Sequence, residues 1–162
     1  MSAEAEWSLA TSVDEDNGNI LIMRIRDTPP EFASPDLFPK LLDIVWEFDG
    51  SCNNGMPLLN DLERMQTLED RLEPALEGNQ QAFLAVVVTG KGVREWQWYV
   101  KEPTEVMKLV NQTLSEIDPF PVKFIFQEDS TWETYSRFRA IPAQEAEPLQ
   151  KKDDWEGNGD GI

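Results

Sequence analysis

The sequence predicts an α+β fold: a ferredoxin-like split βαβ antiparallel sheet, extended by an N-terminal β-hairpin, with the helices on one face. From residue 40 onwards, patterned segments follow in the order strand, helix, strand, strand, helix, strand, which is the order of that fold. Residues 84–88 read LAVVV, and such an apolar run suits an interior strand better than an edge strand. Two earlier strand-like segments supply the hairpin that would pair with its free edge.

The first two strands are predicted at residues 6–13 and 19–26, with Asn17-Gly18 between them. An Asn-Gly pair between two such segments indicates a type I′ hairpin turn. Residues 27–39 hold four of the eleven prolines and are predicted to be a loop. Residues 40–49 alternate between apolar and polar side chains, the pattern of a strand with one solvated face.

The first helix is predicted to begin after Asn60, since Glu63 follows three residues later in a variant of the capping box. Apolar residues recur near helical spacing as far as Leu76, and Gly78 is typical of the residue that follows a helix. Pro74 is predicted to kink or shorten the last turn.

The second helix is predicted to begin at Pro103, which a first helical turn tolerates. Its apolar stripe consists of Val106, Val110, Leu114 and Ile117. A strand at residues 122–128 follows. The sequence Ser-Thr-Trp-Glu at residues 130–133 predicts a capping box that opens a short third helix.

Residues 82–100 are predicted to form a central hairpin with Gly90-Lys91 as a two-residue type II′ loop. A four-residue loop over residues 89–92 would give the same pairing. In this register one face of the hairpin carries three cross-strand pairs, namely Val87 with Arg94, Ala85 with Trp96, and Phe83 with Trp98.

The chain of 162 residues is strongly acidic, with 14 Lys and Arg against 31 Asp and Glu and a net charge of −17. Such a charge repels nucleic acids and anionic membranes, because phosphate binding requires lysine and arginine. A partner selected by charge would therefore be a basic protein surface or a cation. We predict one domain over residues 1–142 and an acidic, disordered tail over residues 143–162, where apolar residues are few. The sequence leaves the oligomeric state open.

The sequence contains no histidine and a single cysteine, Cys52. This composition excludes histidine-based catalysis, histidine metal ligands and an internal disulfide. The sequence also lacks phosphate-binding loops, dinucleotide fingerprints and nucleophile elbows, so neither a cofactor nor a metal is predicted. No signal peptide or membrane span is recognisable, and we expect a cytoplasmic protein.

Arg94 and its neighbour Glu95 are the candidate ligand- or partner-binding residues with the most specific setting. Beside Trp96 and Trp98, the Arg94 guanidinium would hold an anion or small ligand on an aromatic platform. The structural alternative pairs Arg94 with an acid and uses its stem to cover apolar surface. For the two tryptophans, the alternative is packing in the core.

Several acids form a second set of candidates. A carboxylate- or metal-dependent hydrolase would use Glu95, Glu128 and Asp129, and the acidic face with Asp43 and Glu47 offers oxygen ligands for Mg²⁺ or Ca²⁺. In a chain this acidic, clusters of carboxylates also arise by chance.

A third set is the pattern DxxWxxY, formed by Asp129, Trp132 and Tyr135. These residues are candidates for partner binding. The alternative is that the two aromatic side chains dock the third helix on the sheet.

Three groups of residues together resemble a bacterial family of uncharacterised proteins, domain of unknown function 695. They are Leu68-Glu69 with Leu72 and Leu76, the pattern TGxGxREWxxY at residues 89–99, and DxxWxxY at residues 129–135. The resemblance covers roughly residues 6–138. That family is similar in outline to ribonuclease E inhibitors called regulator of ribonuclease activity B, which are acidic, ferredoxin-like proteins that bind an enzyme. The resemblance implies no known activity and no catalytic residues.

These observations favour a non-enzymatic, acidic interaction or regulatory module that binds a basic protein. The alternatives are a ribonuclease-inhibitor-like regulator, a small-ligand binder at the face with Arg94, Trp96 and Trp98, and a carboxylate- or metal-dependent hydrolase.

Overall fold

The computed structural model describes residues 5–142, and the predicted tail at residues 143–162 lies outside them. The described chain forms strands and helices in the predicted order. Their bounds are β1 Trp7–Val13, β2 Ile20–Arg26, β3 Lys40–Glu47, α1 Leu59–Gly78, β4 Ala82–Gly90, β5 Val93–Val100, α2 Pro103–Leu114, β6 Val122–Glu128 and α3 Glu133–Arg139. No helix within residues 5–142 is long and apolar enough to cross a membrane.

The strands form one six-stranded sheet in the order β1-β2-β4-β5-β3-β6, and every neighbouring pair is antiparallel. The last four strands of this order, with α1 and α2, make the predicted split βαβ arrangement. Strand β2 pairs with β4, so the N-terminal hairpin extends the sheet as predicted. This pairing explains why the LAVVV segment is apolar on both faces, since β4 lies in the sheet interior.

Helices α1 and α2 pack together on one face of the sheet, which we call the helix face, and cover the larger core. Its buried residues come from both helices and three strands, and they include Leu42, Trp46, Met65, Leu68, Leu72, Trp96, Trp98 and Val106. The prediction that the helices share one face is confirmed for α1 and α2.

The third helix packs on the opposite face of the sheet, against a second core beneath α3 and the loop at residues 27–39. This core joins Phe38, Phe83 and Tyr99 to Trp132 and Tyr135. The helix lies there because residues 129–132 turn the chain over the end of β6, with Trp132 in the left-handed conformation at φ 56°. The prediction placed helices on one face of the sheet only, and it therefore missed this partial third layer.

The central hairpin turns one residue later than predicted. Its two loop residues are Lys91 and Gly92, with φ of 55° and 80°, which is the type I′ pattern. Thr89 consequently faces Arg94, and Val87 faces Trp96. An irregularity between Leu84 and Val86 then shifts the register, so Leu84 faces Trp98 and Phe83 faces Tyr99.

This register places side chains differently from the prediction. A shift of one residue exchanges the two faces of a strand. Phe83 and Ala85 therefore lie in the second core, on the other side of the sheet from Trp96 and Trp98. The prediction that Arg94, Trp96 and Trp98 share one face is correct, because they alternate along the same strand.

Three predicted caps and turns are also wrong. The loop between β1 and β2 spans residues 14–19 and closes through an Asp14 N–H bond to the Asn19 carbonyl, so Asn17-Gly18 is not a two-residue turn. Helix α1 begins at Leu59, has no side-chain cap, and continues past Pro74 to Gly78. Helix α3 is capped by the Asp129 carboxylate, which accepts the N–H groups of residues 133 and 134, instead of by Ser130.

We predict that Gly90→Ala destabilises the fold by about 1–3 kcal/mol, the usual range for overpacking. Gly90 has φ of 155°, and a Cβ atom there would lie 2.4 Å from the Ile20 carbonyl oxygen and 2.9 Å from Leu21 Cα. Urea unfolding of the variant measures the loss. Gly78→Ala is the matched control, because no atom lies within 4 Å of its Cβ position and alanine favours the helix. Equal stability of both variants would contradict the close approach of β2 to β4.

Candidate functional site

A row of charged side chains lies between α1 and the sheet. Glu69, Glu73 and Glu77 are spaced four residues apart, so they lie on one side of α1. Opposite them are Arg24 and Arg26 from β2, with Arg94 from β5. Like the larger core, these side chains lie on the helix face, and they form the ionic part of the contact between α1 and the N-terminal hairpin.

Glu69 is the most completely bonded member of this row. Its carboxylate accepts two hydrogen bonds from Arg24, at 2.9 and 2.6 Å, and one from the Trp96 indole at 3.0 Å. Only 5% of Glu69 is exposed. A buried carboxylate is stable when it is paired and hydrogen-bonded, and the bidentate arginine contact meets this requirement.

Glu77 and Arg26 use the irregular part of β4. Arg26 donates to Glu77 at 3.0 Å and to the Leu84 carbonyl at 3.3 Å, while the Leu84 N–H donates to Glu77 at 2.9 Å. The register shift between Leu84 and Val86 disrupts the local ladder. The two side chains therefore supply hydrogen bonds to backbone groups of Leu84.

Glu73 and Arg94 are less well paired than their neighbours. Burial, followed by the nearby Glu77 and Glu69, raises the pKa of Glu73 to about 7, although Arg24 and Arg26 oppose the change. Burial and the charge of Arg24 lower the pKa of Arg94 to about 10, against the effect of Glu69. Both shifts follow from confining like charges in a partly buried row.

The structure shows one of the two predicted contacts of Arg94, the contact with Trp96, and does not show the pairing with an acid among the described residues. Its guanidinium lies 5.8 Å from the centre of the Trp96 ring, as predicted, and its Nε donates to Thr89 Oγ1 at 2.8 Å. Within residues 5–142 no carboxylate lies within 4.0 Å of its nitrogens, so the predicted pairing with an acid is not seen. Trp96 and Trp98 are 1% and 0% exposed and pack in the core. A binding role for the three residues stays a prediction.

Asp129, Trp132 and Tyr135 lie together on the opposite face and hold α3 in place. Asp129 accepts the Tyr99 hydroxyl at 2.6 Å as well as the two helix N–H groups. The Trp132 indole donates to the Phe38 carbonyl, and the Tyr135 hydroxyl donates to the Arg26 carbonyl, both at 2.8 Å. These contacts support the docking alternative for the pattern DxxWxxY.

The same contacts set the ionisation of this cluster. Partial burial alone would raise the pKa of Asp129, but hydrogen bonds from Tyr99 and from the backbone at residues 133 and 134 outweigh it and lower the pKa. Burial and the bond to Asp129 raise the pKa of Tyr99. Asp129 is therefore a stabilised carboxylate, which suits a cap and disfavours a general acid.

The rest of the face opposite α1 and α2 has no helix over it within residues 5–142. Helix α3 packs over β2 and β4, at the end of the sheet near Tyr99. Beyond that end, β4, β5, β3 and β6 present half-buried Val45 and Val88 together with Ile125, which is 48% exposed. We call this surface the open face.

The open face contains a cluster of hydrogen-bond acceptors, formed by Asp43, Glu95 and Gln97. Asp43 lies directly opposite Gln97 in the pairing of β3 with β5, and Glu95 lies one pair further on the same face, opposite Val45. Among the described residues, neither Asp43 Oδ1 nor Gln97 Oε1 has a hydrogen-bond partner, and both atoms are buried. We call these three residues the acceptor cluster.

The charges of the acceptor cluster are not compensated. Burial, then the Glu95 carboxylate, raises the pKa of Asp43 to about 7, and the side-chain amide of Gln97 opposes the change. No lysine or arginine within residues 5–142 lies within 4.0 Å of either carboxylate. The nearby Lys123 has its Nζ 4.0 Å from Glu47.

The structure does not assemble the acids predicted for a hydrolase. Glu95 lies on the open face, Asp129 caps α3, and Glu128 pairs with Lys40. Within residues 5–142 no group of three or more acidic or cysteine side chains is arranged to hold a metal ion.

Sequence reasoning identified Glu95 and the acidic face with Asp43, but missed Gln97, Arg24 and the role of Glu69. The four-residue spacing of the glutamates beside the apolar stripe of α1 was the available signal for the ionic row. No sequence signal relates Asp43 to Gln97, because only the pairing of β3 with β5 brings them together.

The sequence profile of DUF695, a family of unknown function, matches residues 5–139, which is nearly all of the described chain. No curated protein matches the sequence.

We predict that Glu69→Leu lowers the free energy of unfolding by about 2–3 kcal/mol. Removing one partner of a buried pair costs about 3–5 kcal/mol, and the value is smaller here because Arg24 is 31% exposed. Adding Arg24→Met should recover part of the loss, since no uncompensated charge then remains. Urea unfolding of the two single variants and the double variant tests this, and additive losses would contradict a direct coupling.

We predict that Asp43→Asn stabilises the fold at pH 8 by about 1–2 kcal/mol and has little effect at pH 4. The pKa of Asp43 is raised from 3.8 to about 7, so folding favours the protonated form. Its destabilising effect therefore grows as the pH rises from about 4 to 7, and solvent screening reduces the magnitude. Urea unfolding of both proteins across this range measures the difference. A constant difference at all pH values would contradict the prediction.

Proposed function

This chain belongs to DUF695, a family of unknown function, and we propose that it is a non-enzymatic interaction module that binds a basic protein on the open face. The open face lies on β4, β5, β3 and β6. The partner would supply apolar side chains for Val45, Val88 and Ile125 and positive charge for Asp43 and Glu95.

The observation that carries the proposal is the combination of apolar contact area and uncompensated carboxylates on the open face. Beneath α1, by contrast, the partly buried Glu69 and Glu77 pair with Arg24 and Arg26, and Glu73 lies near the same two arginines. On the open face, the apolar side chains remain accessible and two acids have no cation within 4.0 Å among residues 5–142. Interfaces combine such an apolar centre with charges that select the partner.

The net charge of −17 supports a basic partner. Long-range attraction raises the rate at which oppositely charged proteins meet, and it weakens as salt increases. The same charge opposes association with a second copy of this chain. The open face is therefore matched to a basic protein better than to another acidic one.

A regulator similar to the ribonuclease E inhibitors is a narrower form of the same proposal, in which the basic partner is a ribonuclease. The acidity of the chain and its α+β fold are consistent with that form. It uses the same surface, and the identity of the captured partner distinguishes the two.

A small-ligand site at Arg94 is a second candidate. Its favouring observation is that Arg94 lies close to Arg24 and pairs with no acid among the described residues, so an anion would relieve the repulsion between the two guanidinium groups. The burial of Trp96 and Trp98 argues against an aromatic platform for a ligand, and we therefore rank this candidate below the open face.

We predict that Ile125→Lys abolishes partner binding, because it replaces an apolar contact with a charge that repels a basic protein. Affinity capture from a lysate, at low and at high salt, should retain a basic protein on the wild-type chain at low salt and release it at high salt. The variant should retain little of it.

Val13→Lys is the matched control, since it changes the charge equally at a 58% exposed position on the other edge strand. The control should bind like the wild type. Equal retention by Ile125→Lys and Val13→Lys, or retention of no basic protein at low salt, would contradict the proposal.

A further inference from the structure

We infer that the acceptor cluster of Asp43, Glu95 and Gln97 is a binding site for one arginine side chain of the partner. The inference rests on the proposed function, and it specifies the chemical group that the open face recognises. It follows from the hydrogen-bonding capacity, the charge and the surroundings of these three residues.

The hydrogen-bonding capacity of the cluster calls for a donor. Gln97 is only 7% exposed, yet its Oε1 has no partner within residues 5–142, and the same holds for Asp43 Oδ1. A buried acceptor without a donor costs free energy. A guanidinium has five N–H donors and no acceptor, so it can bond both oxygens without adding an unsatisfied group.

The positions of the two acceptors suit a fork of donors. Asp43 and Gln97 face each other across β3 and β5, and directly paired side chains begin about 4.5–5.5 Å apart at Cβ. Glu95 lies beside them on β5, so its carboxylate is on the same face. A planar group that donates in several directions can reach the oxygens of neighbouring strands simultaneously.

The charge of the cluster calls for a cation, and the same chain shows which cation it uses for partly buried acids. Arg24 pairs with Glu69, and Arg26 pairs with Glu77. Asp43 and Glu95 have no such partner among the described residues. An arginine from the partner would pair with the acids of the open face, as Arg24 and Arg26 of β2 pair with the glutamates of α1 on the helix face.

The surroundings favour arginine over lysine. Val45 separates Asp43 from Glu47 along β3 and faces Glu95, and Val88 also faces Glu95, from β4. A guanidinium is less strongly hydrated than an ammonium ion and stacks well on apolar surface. Moving a guanidinium from water to a cluster with such apolar neighbours therefore costs less free energy than moving an ammonium ion.

Binding should strengthen as the pH rises, because Asp43 must be ionised to pair with the cation. The charged groups that face Asp43 are Glu95 on β5, Lys123 on β6 and Glu47 on its own strand, and the pKa of Asp43 is about 7. The ionised fraction of such a group rises roughly tenfold between pH 6 and pH 8. The affinity for arginine should rise by about the same factor.

The test is a titration of the full chain, labelled with ¹³C and ¹⁵N, with N-acetylarginine amide and separately with N-acetyllysine amide at constant ionic strength. We expect saturable shifts of the Asp43 carboxyl and Gln97 side-chain amide signals with the arginine compound. The lysine compound should bind several-fold more weakly, and the arginine affinity should be roughly tenfold higher at pH 8 than at pH 6.

Asp43→Asn should abolish saturable binding of the arginine compound, since it removes the charge and replaces a carboxylate oxygen with a donor. Asp118→Asn makes the same change at an exposed position after α2 and should bind like the wild type. The dispersion of the backbone amide signals shows whether each variant is folded. If Asp43→Asn fails to fold, Glu95→Gln serves in its place, with an expected loss of at least several-fold.

Three results would overturn the inference: no saturable shift at Asp43 or Gln97 at pH 8, equal affinity for the two compounds, or unchanged binding by a folded Asp43→Asn or Glu95→Gln variant. The proposed function fails by a different result, since it depends on the loss of a captured protein from Ile125→Lys. Arginine binding combined with unchanged capture by Ile125→Lys would retain the site and reject the open face as the docking surface.

Discussion

The contact among Arg24, Glu69 and Trp96 is the interaction on which the rest of the structure depends. It joins three elements that are distant in sequence: β2 of the N-terminal hairpin, α1 of the helix layer and β5 of the central sheet. Strand β2 lies outside the split βαβ unit, so this buried carboxylate connects the added hairpin to that unit across the sheet. The Arg26–Glu77 pair repeats the connection further along α1, next to the backbone irregularity in β4. A hairpin held in this position makes β4 an interior strand and gives α3 part of its packing surface. The packing on both faces of the sheet therefore depends on this contact.

The fold was predictable to the level of element order because hydrophobic periodicity reports which face of each segment is buried. Because β4 is apolar on both faces, the sequence also indicated that the N-terminal hairpin pairs with its otherwise free edge. The turn at Lys91-Gly92 was not predictable from local sequence, since Gly90 and Gly92 are equally plausible turn residues. Their roles are decided by the approach of Ile20 and Leu21 to Gly90. The cap of α3 was missed for a similar reason, because Asp129 is fixed by Tyr99 from another strand.

The candidate site was only partly predictable because its members meet through strand pairing. Arg94 and Trp96 lie two residues apart in one strand, and their contact could be inferred from alternation alone. Asp43 and Gln97 belong to strands that α1 and β4 separate in sequence. Their relation therefore depends on β3 lying beside β5 and on the register of that pairing, which the local pattern of neither strand specifies. The acidic composition added a further difficulty, since many of the acids in residues 5–142 lie on the surface with no ion-pair partner in that part of the chain.

The strand order also has a consequence for the sequence of events during synthesis of the chain. Strand β3 lies between β5 and β6, although α1 and β4 are translated before either of them. The N-terminal hairpin is translated earlier still, and its partner β4 follows only after α1. Arg24 and Arg26 therefore remain in water until α1 brings Glu69 and Glu77, and the sheet cannot be completed until residue 128 has left the ribosome. Because most strand contacts join distant segments, folding should begin at the β4–β5 hairpin, the most local pairing among the central strands, and end with the arrival of β6.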